Sequence, residues 1–202
     1  NGQNDIMVYG GANQAMTTAV LDRTDDLWDQ VDFLVSQFET PQEVTLAAFK
    51  LAKEHGVTTI LNPAPAKEIL PGLLAVTDVI APNESALLTG IEINDEADLA
   101  KTADYFRGQG VATTLVTLGS RGAYFNHNGK SGIVPAFKVK AVDTTAAGDT
   151  FIGGLVSQLT PSMENLADAI TYAQRASSLT VQGMGAMPSI PTRAQVEEAL
   201  KN

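Results

Sequence analysis

An α/β fold built on a mostly parallel sheet is predicted by three features of the sequence. Short apolar, β-branched bursts alternate with longer amphipathic stretches as far as about residue 119. The bursts are bounded by turn residues, as buried strands are. After a single Asn-Gly turn the pattern changes, and only helical periodicity remains to the C-terminus.

Taken in order, "IMVY" (6–9), "FLVSQF" (33–38), "VTTIL" (57–61), "DVIAP" (78–82) and "TTLVTLG" (113–119) read as strands buried on both faces. A helix opens on "TPQE", with Thr40 as N-cap, Pro41 at the first helical position and Glu43 two further on, the parts of a capping box. Val44, Ala47, Ala48 and Leu51 form its apolar face, and Gly56 suits its C-terminal cap. A second helix over about 95–109 places Leu99, Ala103 and Phe106 on one side, with Gly108 near its end. "GAYFNHNGKSGIVPAFKV" holds two short strands around Asn128-Gly129, the signal of a type I′ hairpin. Helices over about 147–159, 163–181 and 193–201 follow. Strand–helix–strand alternation of this kind puts helices on both faces of the sheet.

The chain has 202 residues, 44% of them hydrophobic, enough for one sizeable core. Thirteen basic against 23 acidic residues leave a net charge of −10. Such a surface repels phosphate backbones and anionic lipid, which disfavours nucleic acid and membranes as partners. A small anionic ligand stays compatible, because local N–H groups hold a phosphate against the global field. The lack of cysteine removes disulfides and thiolate metal sites and suits a reducing compartment, so a cytoplasmic setting is expected. No apolar run approaches the roughly 18 residues of a membrane span. His55 and His127 stand apart and make no metal site. The opening "NGQNDIMVYGGAN" reads as the inside of a structural element, so a chain whose earlier part is missing is expected.

The chemistry concentrates in "VDTTAAGDTF" (142–151). Phe151, Ile152, Leu155, Val156 and Leu159 recur at helical spacing, which sets the small residues from Thr144 to Gly148 at a helix entrance. The first turn of a helix offers unpaired N–H donors and a partial positive charge. Ala146, Ala147 and Gly148 leave room for an anion to approach those donors. Asp149, beside it, can accept a hydrogen bond from an alcohol. Such a place can stabilise a phosphoryl group and aim a hydroxyl at it. Taken alone, the stretch is evenly balanced between that role and an Asp that merely stabilises a helix start. "NPAPAKE" (62–68), "APNES" (81–85) and "TLGSRGAYF" (117–125) place polar loops after strands, and "QGMGAMPS" (182–189) follows a helix. Several such loops on one sheet edge argue for a nucleotide-sized cleft. Neither a Gly-x-Gly-x-x-Gly fingerprint nor a Lys-Ser/Thr phosphate loop is present, which disfavours a dinucleotide-binding domain.

These pieces, in this order, resemble the ribokinase family of carbohydrate kinases. The carriers are "GAN" (11–13), "QFETP" (37–41), "LNPAPAKE" (61–68), "PNE" (82–84), "LTG" (88–90), "TLGSRG" (117–122), "AVDTTAAGDTF" (141–151) and "GAMPSIP" (185–191). "NPAPA" with "TLGSRG" favours the ribokinase branch over fructokinase-like or adenosine kinase-like members.

The resemblance implies a ribokinase-like three-layer α/β/α fold with a mostly parallel central sheet. It also implies transfer of the γ-phosphoryl of ATP to a sugar hydroxyl, that of D-ribose in ribokinases, to give ribose 5-phosphate. Asp149 falls on the catalytic base and a substrate contact. Ala146, Ala147 and Gly148 fall on the anion hole, and Glu39 on an acid that binds the sugar. Asn83, Thr117, Gly119, Ser120, Gly122, Gly148 and Gln174 fall on nucleotide-binding positions. Asp143, Thr145, Thr180, Gly183, Gly185 and Ser189 fall on ligands of a monovalent cation, usually K+, and Mg2+ accompanies the nucleotide. Plainer readings stand beside these: a surface carboxylate for Glu39, a helix cap for Asn83, turn glycines at 119 and 122, and a solvent-facing Gln174.

Two departures from the family pattern follow. Ala86 occupies a position where the family carries a Glu that influences Mg2+, with Glu84 as a possible substitute. Residues 1–10 match only a remnant of a lid strand returning to the core, leaving 11–202 as the α/β domain with the lid largely absent. A homodimer is expected of the full-length form. A nucleotide-binding module without catalysis is the competing expectation.

Overall fold

The computed structural model describes residues 9–24, 26–83 and 88–201. The predicted "IMVY" strand, with most of the lid remnant, lies outside these residues apart from an exposed Tyr9, and so do Glu84 and Ala86. The helices are α1 (Gly11–Gln14), α2 (Gln42–Glu54), α3 (Glu96–Gly108), α4 (Ala147–Gln158), α5 (Leu166–Thr180) and α6 (Arg193–Ala199). The strands are β1 (Phe33–Gln37), β2 (Thr58–Asn62), β3 (Val79–Ile80), β4 (Thr113–Thr117), β5 (Ala123–His127) and β6 (Lys130–Val134).

The six strands form one sheet in sequential order. β1 to β4 run parallel, in a register that sets Phe33 opposite Thr58, Ile60 opposite Val79 and Val79 opposite Thr113. The sheet is mixed, because the two-residue turn after β5 reverses the chain. Asn128 and Gly129 have φ values of 49° and 75°, the two positive angles a type I′ turn demands.

Two compact units divide the chain. Among the described residues, those from 9 to 117 with 124–132 form one; 118–123 with 133–201 form the other. In the first, Phe38, Phe49, Leu61, Leu73, Ile80, Phe106 and Val111 make one buried cluster. Neighbouring Ile60 and Leu61 are both fully buried, so β2 is covered on both faces, as a parallel interior strand should be. The predicted capping box at the start of α2 does not form. Pro41 is itself the N-cap, with an extended ψ of 130° and no side-chain cap bond. With Pro41 extended, Thr40 lies one residue too far back to reach the first-turn N–H groups. At the other end His55 stacks on Trp28, and Gly56 takes the left-handed conformation that closes the helix. α3 begins on Asp95, whose carboxylate accepts from the Asp98 N–H at 3.0 Å, and it buries Leu99, Ala103 and Phe106 as expected.

In the second unit α4 packs on α5 through small residues. A Cβ added at Gly154 would lie 3.2 Å from the Ala173 Cα and 3.4 Å from the Ala176 Cβ, so the helices meet backbone to backbone there. Phe151, Leu155, Ile170 and Ala173 are buried around that contact. Each fully buried large apolar side chain stabilises by about 1.5–3 kcal/mol. α5 starts at Leu166, later than the predicted 163, because Met163 has a φ of 53° and cannot be helical. Asn165 instead braces the preceding loop, accepting from the Thr160 N–H and donating to the Gln158 carbonyl. α6 carries the one complete capping box among the described helices, between Thr192 and Gln195.

Candidate active site

The head of α4 is shaped by Ala146, whose φ of 60° is left-handed. That conformation costs a non-glycine residue about 1–2 kcal/mol. It turns the chain so that the Thr144 carbonyl accepts the Ala147 N–H at 3.2 Å, while the Ala146 carbonyl accepts the Thr150 N–H at 2.9 Å. Of the three small residues expected at the anion hole, Ala147 already gives its N–H to the turn. Among the described residues no acceptor faces the Gly148 or Asp149 N–H. Both residues are exposed, so two adjacent backbone donors and one carboxylate are presented together at a helix start.

Asp143 holds this turn in place. One carboxylate oxygen accepts from the Thr145 N–H (2.9 Å) and hydroxyl (2.6 Å), and the other accepts from the Gly185 N–H (2.9 Å). These charge-assisted bonds tie the strained segment before α4 to the loop after α5. In that loop the Thr180 carbonyl accepts the Gly183 N–H, and Ser189 donates its proton to the Ala186 carbonyl at 2.8 Å, which leaves its lone pairs available. A Cβ at Gly183 would come 3.0 Å from the Ser189 Cβ, so these residues crowd together. Asp143, Thr145 and Gly185 are thus joined by hydrogen bonds, as are Thr180 and Gly183, and the ligands expected of the set are oxygens only, a chemistry that suits a weakly hydrated monovalent cation. Among the described residues no cluster of three His, Asp or Glu side chains is placed to hold a metal.

Beside the head of α4 lies a cavity of about 450 Å³, bordered by Gly119, Ser120, Phe137, Ala147, Gln174 and Ser177 among others. Gln174 is only 7% exposed, which overturns the solvent-facing reading. Among the described residues no polar side-chain atom is both buried and unpaired, so the Gln174 amide, which bonds to none of them, is reached from the cavity it borders. Phe137 supplies an apolar wall held by the Arg175 guanidinium, 4.4 Å from the ring centre. Gly119 and Gly122 flank the short 3₁₀ turn Gly119–Arg121 with φ values of 55° and 111°. Gly122 is also a contact glycine, since a Cβ would sit 2.1 Å from the Val134 carbonyl. It shapes the loop, while Gly119 and Ser120 line the cavity.

In the first unit Glu39 follows β1 and is exposed, and its backbone carbonyl accepts from the Gln14 side chain at 2.7 Å. Asn83 is exposed and pairs by a parallel bridge with Thr117, which joins those two predicted residues at the ends of β3 and β4. The Asn62 side chain braces the same edge by donating to the Ala81 carbonyl at 2.8 Å. Asn62, Phe137 and Ser177 were not singled out from the sequence. Ser177 was within reach, because Gln174, Ser177 and Ser178 share one helical face at i, i+3 and i+4.

The description "pfkB family carbohydrate kinase" matches residues 1–193. The chain belongs to this family. It is 49% identical over 199 residues to a ribokinase of Staphylococcus aureus, covering 98% of this chain and 66% of that protein. It is 50% identical over 198 residues to a bifunctional ribokinase/ribose-5-phosphate isomerase A of Fructilactobacillus sanfranciscensis, covering 97% of this chain and 37% of the relative. Among solved structures, Arabidopsis thaliana ribokinase complexed with ribose and ATP matches with a TM-score of 0.88 at 30% identity, covering 100% of this chain and 66% of that one. The chain therefore spans just under two thirds of the first of these relatives and just over one third of the second.

Proposed function

We propose that this pfkB family chain acts in an ATP-dependent kinase that phosphorylates a hydroxyl of ribose. The observation that carries the reading is the pair of open N–H donors at Gly148 and Asp149, with the Asp149 carboxylate beside them, next to a cavity bordered by Gln174. The names of the two relatives and the ribose- and ATP-bound neighbour favour this substrate pair.

Phosphoryl transfer asks little covalent chemistry of a protein; it needs alignment and stabilisation of charge on the moving group. The Gly148 and Asp149 N–H groups, at the positive end of α4, stabilise that charge. Asp149 accepts the proton of the attacking alcohol and orients its oxygen. Gln174 and Phe137 hold the base, and Gly119 and Ser120 let the nucleotide approach the backbone. Glu39 contacts the sugar; Asn83 and Thr117 meet the phosphates. Asp143, Thr145, Thr180, Gly183, Gly185 and Ser189 would hold K+, which supplies positive charge behind the phosphoryl-holding turn. Mg2+ would arrive with the ATP phosphates, since it usually keeps several waters and needs few protein ligands. A homodimer in the cytoplasm completes the proposal.

The test is coupled ADP release with ribose and Mg-ATP. Asp149→Asn should lower kcat by about 10²–10⁴-fold, the usual contribution of a general base, with ATP affinity retained. Turnover by Asp149→Asn at the unaltered rate overturns the assignment. ATP binding without turnover on any pentose or hexose replaces the kinase reading with that of a nucleotide-binding module.

A further inference from the structure

We infer that Ser177 is a positioning residue that aims the Gly148 N–H at the phosphoryl group and links that aim to the filling of the nucleotide cavity. The inference rests on the kinase reading above.

Ser177 stands on α5, and its hydroxyl donates to the Ala147 carbonyl at 2.9 Å. That carbonyl and the Gly148 N–H belong to one peptide group. The group is planar and trans, so its C=O and N–H point in opposite directions and fixing one fixes the other. Ser177 therefore sets the direction of one of the two donors left open at the head of α4.

This turn needs outside support. Its N-cap is the left-handed Ala146, which makes no side-chain cap bond. The other ties between the two helices act further along. Thr180 donates to the Thr150 hydroxyl at 3.1 Å, and Gly154 packs on Ala173. These set the register of the helix bodies, whereas the Ser177 bond reaches the 147–148 peptide itself.

Ser177 and Ala147 both border the cavity. A nucleotide seated there excludes water from their hydrogen bond, and a bond in a drier setting is electrostatically stronger. Occupancy of the cavity and rigidity of the phosphoryl-holding turn are coupled through this hydroxyl.

The experiment compares ATP and adenosine binding by calorimetry in the unaltered protein, Ser177→Ala, Ser177→Cys and Ser177→Thr, with melting curves for each. Ser177→Ala and Ser177→Cys should weaken ATP binding about three- to tenfold, the effect of one hydrogen bond. Adenosine, which lacks phosphate, should bind as before, and Ser177→Thr should restore ATP affinity. In turnover, Ser177→Ala should lower kcat and leave KM for ribose unchanged. A merely structural serine would instead weaken ATP and adenosine alike, or shift melting only, and either result overturns the inference. Unaltered protein that binds ATP while Ser177→Ala binds it equally well overturns this inference alone. Failure of the unaltered protein to bind ATP overturns the kinase reading and this inference together.

Discussion

The two units of the chain are stabilised by different means. The first is an apolar core of large side chains, Phe38, Phe49 and Phe106 among them, under a parallel sheet. The second brings α4 and α5 together on glycine, alanine and hydroxyl contacts and holds its loops with one carboxylate, Asp143. Large buried side chains resist deformation by volume. Small residues and hydrogen bonds allow backbone to approach backbone and leave donors aimed outward. The contrast teaches that the head of α4, where we propose an anion is held, is ordered by geometry more than by bulk.

The largest expected effect on stability tests the bulky unit. Phe106→Ala removes a fully buried ring from the cluster and should cost about 3–5 kcal/mol in denaturant unfolding. A loss below 1 kcal/mol breaks the contrast from that side. Next comes Asp143→Ala, which removes the acceptor of three hydrogen bonds among the described residues and should cost about 2 kcal/mol. It should also abolish any dependence of ATP binding on K+, checked by titrating the salt against NaCl.

A smaller effect separates two neighbouring glycines of α4. A Cβ at Gly153 meets open space, so Gly153→Ala should stabilise by up to about 1 kcal/mol through helix propensity. At Gly154 the same change strikes the Ala173 backbone, and overpacking of about 1–3 kcal/mol should cancel or reverse that gain. Equal melting shifts for the two variants sink the idea of close helix contact.

The smallest effect lies in the β5–β6 hairpin. His127 bonds to the Thr113 hydroxyl at 2.7 Å, and burial, then the nearby Lys130 charge, hold its pKa below the ordinary 6.5. The folded protein resists this proton while the unfolded chain takes it up near 6.5. The contribution is therefore complete above pH 6.5 and is lost as pH falls through 6.5 toward the lowered folded value. His127→Gln should flatten the decline of melting temperature over that acid range.

Much of the first unit was legible in the residues. β2 and β4 announced themselves as continuous β-branched runs, and Asn128-Gly129 named its own turn, because these signals depend on local backbone preference and burial on both faces. The start of α2 was misplaced by one position, since Pro41 satisfies a first helical residue and an extended N-cap equally well by φ, and only ψ separates them. In the site, "TTAAGDTF" marked the helix head and its acid. It did not tell which donors stay open, because the left-handed Ala146 consumes the Ala147 N–H.

By itself the sequence determined the class of fold, the family and the small-residue turn that opens a helix beside an acid, since these follow from periodicity, small-residue runs and motif order. Only the tertiary structure decided that Gln174 is largely buried at the edge of the cavity and that Ser177 grips the Ala147 carbonyl. Both depend on where α5 lies against elements up to 55 positions earlier in the chain, from Gly119 at the cavity to Ala147 at the helix head. No local preference of the chain encodes that approach; it comes from how closely small residues let the helices pack.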